Sequence, residues 1–103
     1  MNERTMGSIA FAGDLDQDAD GAEIALRRAG FHVTRMPDKF RSQLAHPDDE
    51  FMEASKAGTD DGAIMDEINA IVERYGGLCD EVGTITSDHV PFKELFEQRL
   101  RLH

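Results

Sequence analysis

Two stretches of helical periodicity, each closed by glycine and followed by a strand-like run, constrain this fold more than any other feature. In the first, Ala22, Ala25, Leu26 and Ala29 recur at i, i+3, i+4 and i+7, and Gly30 follows as a left-handed stop. In the second, Ile64, Ile68, Ile71, Val72 and Tyr75 form a stripe that ends at Gly76-Gly77. Asp18 or Asp20 can cap the first helix and Asp60-Asp61 opens the second, so that carboxylates face the positive helix ends, while Arg27 and Arg28 suit a helix C-terminus. Between and around these helices lie short alternating runs. Ile9 and Phe11 share a face in Ser8–Gly13, and Phe31–Met36 alternates until Pro37 ends it. Phe51–Ala57 places Phe51, Ser55 and Ala57 together, and Leu78–Ile85 places Leu78 with Val82 on one face and Cys79 with Glu81 on the other.

The order is β-α-β-β-α-β, which predicts an α+β, ferredoxin-like domain over residues 8–86: a four-stranded antiparallel sheet with two helices on one face. Residues 1–7 read as a disordered leader. Residues 87–103 read as a C-terminal helical tail, with Pro91 at its first turn and Phe92, Leu95, Phe96 and Leu100 as its apolar face. Residues 38–49 are polar; Asp38 to Leu44 has room for one or two helical turns, and His46-Pro47-Asp48-Asp49 reads as a turn. The second sheet face is left open in such a fold. A ligand, a partner subunit or the tail helix must cover it, because the tail's apolar face is too large to stay wet.

Charge narrows the partners. The 103 residues carry 11 Lys+Arg against 21 Asp+Glu, a net charge of −10. That disfavours nucleic acid and anionic membranes, both of which select cationic surfaces. It favours a protein partner with a basic surface. The single cysteine, Cys79, can form no internal disulfide, which points to a reducing cytoplasm. No run is apolar enough for a signal peptide or a membrane span.

Few motifs carry chemistry. Asp16-Gln17-Asp18-Ala19-Asp20-Gly21 matches the first half of a calcium loop, which makes Asp16, Asp18 and Asp20 the candidate metal ligands. Arg27 stands where such a loop needs its bidentate glutamate, so the competing reading is a helix-capping turn. His46 with Asp48, Asp49 and Glu50 reads as a solvated loop, and His89 as a loop residue. His32 alternates with Phe31 and Val33, so it falls on the open sheet face as a candidate partner or ligand contact, and it can meet Cys79 only if both share that face. Nucleotide, phosphate and hydrolase signatures are missing, so no cofactor and no catalysis are expected.

Three segments resemble the family of regulator of ribonuclease activity B (RraB). Ile9-Ala10-Phe11 leads through a helix to Arg28-Ala29-Gly30-Phe31-His32-Val33. Ser55-Lys56-Ala57-Gly58-Thr59-Asp60 precedes a helix ending Tyr75-Gly76-Gly77, and Leu78-Cys79-Asp80-Glu81-Val82-Gly83-Thr84 follows. The resemblance covers about residues 8–86. The family's aromatic-Asp-Gly-Trp signature is Cys79-Asp80-Glu81-Val82 here, and Asp80 is the matching position. The resemblance implies a ferredoxin-like fold, an inhibitory contact with ribonuclease E, and Asp80 as a partner-binding residue. Two expectations stand side by side: a non-catalytic acidic regulatory domain with a basic protein partner, or a homodimer that binds a small ligand or metal ion on its open sheet face.

Overall fold

The computed structural model of the protein describes residues 3–93, 95 and 97. The chain runs β1 (Arg4–Phe11), α1 (Ala19–Arg28), β2 (His32–Arg35), a 3₁₀ segment (Asp38–Gln43), β3 (Glu50–Ala57), α2 (Asp61–Val72), a 3₁₀ turn (Glu73–Tyr75) and β4 (Gly77–Ile85). The sheet order is β2-β3-β1-β4 with every neighbouring pair antiparallel, the arrangement of a ferredoxin-like α+β domain.

Each helix starts on a carboxylate cap. Asp18 accepts from the Gly21 amide at 2.9 Å, and Asp60 accepts from the Ala63 amide at 3.0 Å. Both helices end in glycine at positive φ, 96° at Gly30 and 81° at Gly76. Ala22 and Leu26 of α1, with Ile64, Ile68 and Val72 of α2, pack against Ile9, Phe11, Val33, Met52, Ala54 and Cys79 of the sheet. Burial of each large apolar side chain there contributes about 1.5–3 kcal/mol. α2 lies almost on the backbone of β1: a Cβ on Gly7 would stand 2.6 Å from Ile68 Cδ1 and 2.8 Å from Cys79 Sγ.

Two expectations are corrected. The first strand begins at Arg4, so residues 4–7 of the expected leader are strand. Its inward positions before Ile9 are Thr5 and Gly7, which carry no apolar signal. Thr5 is nevertheless fully buried, its hydroxyl donating to the Gly58 carbonyl at 2.7 Å. The second correction concerns β4. Ile9 pairs with Cys79, but Ser8 pairs with Glu81, so Asp80 is the extra residue of a β-bulge. The bulge reverses the alternation. Leu78 points to the open face and is 56% exposed, whereas Val82 packs on the core. Cys79 faces the helices, opposite to Glu81 and to His32. The Asn69 side chain of α2 holds both backbone groups of Cys79, accepting from its amide at 2.9 Å and donating to its carbonyl at 3.0 Å.

An ion-pair cluster ties α1, β2, β3 and the first 3₁₀ segment together. Arg35 reaches Asp20 (2.8 Å), Glu23 (3.2 Å) and Glu50 (3.1 Å), and Arg41 reaches Glu50 (2.6 Å) and Asp38 (3.2 Å). Burial works against the Arg35 charge, but the three carboxylate hydrogen bonds outweigh it and raise its pKa further above the ordinary arginine value. Glu50 is therefore a structural bridge rather than part of a solvated loop.

Candidate functional site

The face of the sheet turned away from the helices is built from cross-strand rows that the register fixes. One row is His32, Ser55, Met6 and Gly83; the next is Thr34, Glu53, Ser8 and Glu81; a third is Phe51, Ala10 and Leu78. Residues 86–93 fold back over this face. The Thr86 hydroxyl donates to the Asp88 carboxylate and lowers its pKa below the usual carboxylate range, and the His89 amide donates to the Thr86 carbonyl at 3.1 Å. This turn aims His89 at the sheet.

The anchor is Glu53 in the middle of β3. Its side chain is only 11% exposed. His89 Nε2 donates to Glu53 Oε1 at 2.8 Å, and the Phe92 amide donates to Oε2 at 3.0 Å. Both carboxylate oxygens thus receive a donor from the returning segment, which offsets the cost of burying the charge. Phe92 takes φ of 58°, a left-handed conformation that a bulky aromatic rarely adopts, and the amide contact to Glu53 accompanies it. Lys93, Leu95 and Glu97 have helical backbone, whereas Phe96 and Leu100 of the expected tail helix lie outside the described residues.

Between this segment and the sheet lies a cleft of about 520 Å³. Its walls are apolar at one end, with Met6, Ala10, Leu44, Phe51, Phe92 and Leu95, while Asp80 and Glu81 stand exposed at the β4 side. Asp80 is the bulge residue and Glu81 follows it, and both line the cleft, as does Lys93. The cleft is thus mainly apolar with charged groups in its lining, acidic ones on β4.

The residues singled out from the sequence fall in different places. Asp80 lines the cleft, and His32 is exposed on the same sheet face. Asp16, Asp18 and Asp20 are not brought together. Asp18 caps α1 and Asp20 binds Arg35, and among the described residues no group of three or more His, Cys, Asp or Glu side chains could hold a metal ion. Asp49 of the second acidic turn accepts from the Gly13 amide at 2.8 Å. Glu53 and His89 were not read as a pair. Glu53 stands two residues from both Phe51 and Ser55 and so shares their face, but nothing local announces that a loop histidine 36 residues away returns to it.

Among the described residues no helix is long and apolar enough to cross a membrane. Comparison with protein-family models, curated proteins and solved structures found no match.

Proposed function

We propose that the protein is a non-catalytic, acidic interaction domain that docks an apolar, basic segment of a protein partner in the cleft beneath its C-terminal segment. The observation that carries this reading is that Asp80 and Glu81, both exposed, line a mainly apolar cleft on a chain of net charge −10. The sequence resemblance makes ribonuclease E the first partner to test, with a regulatory, inhibitory role in the cytoplasm. The test mixes the purified chain with purified ribonuclease E and follows binding and RNA cleavage at low and physiological salt. Binding with slowed cleavage, lost in a D80K/E81K variant that keeps its fold, is the expected result. Absence of binding at both salt concentrations removes ribonuclease E as the partner, and binding untouched by the charge reversal removes the cleft as the site.

A second reading follows from the cleft's size. At about 520 Å³ it lies within the range of roughly 300–1,000 Å³ that holds small molecules. On that reading the occupant is a compact apolar amine rather than a polypeptide segment.

A further inference from the structure

A second pocket, of about 200 Å³, also borders Glu53 and His89, with apolar Met6, Ile85 and Pro91 in its lining beside a set of polar groups. Arg4, His32, Thr34, Ser55, Ser87 and His89 contribute to its lining. Arg4 is the central group. Its Nε donates to Ser55 Oγ at 3.2 Å and a terminal nitrogen donates to the Ser55 carbonyl at 3.0 Å. Ser55 itself is 5% exposed, so the guanidinium is fixed against the sheet and not waving in solvent. These two bonds go to neutral oxygens. Among the described residues no carboxylate forms an ion pair with Arg4; Arg28 and Arg74 also lack one but stand exposed, whereas Arg4 is partly buried. A guanidinium has five N–H donors, so Arg4 keeps donors and its whole charge for something else.

The neighbours suit an anion. The register sets His32 beside Ser55 and Thr34 beside Glu53, which places an imidazole and a hydroxyl on the same face as the guanidinium. Ser87 closes the pocket from the returning segment. Glu53 also borders it, but both of its oxygens are already engaged by His89 and the Phe92 amide. Arg4 is thus a partly buried guanidinium, held by neutral oxygens, in a pocket shared with His32 and His89 on a chain of net charge −10.

We propose that this pocket binds an oxyanion group, a carboxylate or a phosphate, with Arg4 as its charge partner and His32, Thr34 and Ser87 as additional donors. Arginine's planar fork matches both oxyanions in geometry. The site is separate from the acidic cleft and stands whether or not ribonuclease E is the partner.

The test titrates the full chain with inorganic phosphate and, separately, with acetate, and follows the Arg4 side-chain and His32 ring resonances by NMR. Saturable shifts at both residues are expected, and the anion that produces them identifies the ligand chemistry. Arg4→Met should weaken that binding at least about tenfold, the loss expected for a hydrogen bond to a charged group. The Ile68 and Val72 methyl resonances report that the core of the variant is intact. His32→Ala, on an exposed edge-strand position, provides a second weakened variant should Arg4→Met unfold. Shifts that stay linear for both anions, or saturable shifts that survive both substitutions, overturn the assignment.

Discussion

Cys79 is the residue whose chemistry the fold changes most. Burial raises the thiol pKa above its ordinary value; interaction with the Glu81 backbone partly opposes this, and the nearby Asp80 charge adds to the rise. The net shift is upward, so the thiolate is scarce and the cysteine is a small core side chain rather than a nucleophile. The sign of the linkage follows. Below the unfolded-state pKa of about 8.5 the thiol is protonated folded and unfolded, and its contribution to stability is complete. As pH rises through that value the unfolded chain loses the proton more readily, and stability falls. Urea unfolding of wild type and Cys79→Ala at neutral and alkaline pH should therefore show a steeper alkaline loss for wild type; parallel curves would refute this. Gly7 belongs to the same scale. With Ile68 Cδ1 and Cys79 Sγ within 3 Å of the site of a new Cβ, Gly7→Ala should cost about 1–3 kcal/mol by overpacking, read as a lower urea midpoint. A glycine in a strand is usually weighed as lost propensity, but here the missing side chain is what lets α2 approach.

At the scale of elements, the ion-pair cluster shows how a polar stretch is held in place. Glu50 joins Arg35 of β2 to Arg41 of the 3₁₀ segment, and the side chains involved are 28%, 30% and 22% exposed for Arg35, Arg41 and Glu50. That exposure lies between a surface pair and a buried one. Glu50→Gln should cost about 1–2 kcal/mol and make the 3₁₀ segment exchange its amides faster, with the loss reduced at high salt. The elements themselves were legible where periodicity ran through apolar residues: Ile64, Ile68 and Val72 mark α2, and Val33 against His32 marks both faces of β2. Two things were not. β1 was read as starting at Ser8 because Thr5 and Gly7 hold inward positions without an apolar signature. In β4, period-two alternation groups Leu78 with Val82 and Cys79 with Glu81, and the bulge at Asp80, invisible to that argument, splits both pairs. The site suffered accordingly. Alternation puts His32 on the open side and the family resemblance points to Asp80, but Arg4 falls in the expected leader, and in the acidic run Asp18 caps α1 and Asp20 pairs with Arg35 instead of joining Asp16 in a cluster.

For the whole molecule the open question of such a fold is what covers the second sheet face, and here the described part of the C-terminal segment does so on its own chain. Among the described residues the cover is fastened at one polar point. Glu53 receives His89 and the Phe92 amide, and both the mainly apolar cleft and the Arg4 pocket border it. This fastening, next to two cavities, makes the segment separable from the core: the sheet and helices share one apolar cluster, while the described polar ties of residues 86–93 to the sheet run through Glu53. Glu53→Gln keeps the shape and one acceptor but removes the charge that holds both donors. It should raise hydrogen exchange at the Phe92 amide about tenfold or more, the effect of losing a charge-assisted hydrogen bond, while amides of β1 keep their wild-type protection. Mass-spectrometric hydrogen exchange of the two proteins separates the outcomes. Faster exchange confined to residues 86–93 shows a cover that opens independently. Equal acceleration in β1 shows that the segment and the core unfold as one unit, and then neither cavity can be exposed without losing the fold.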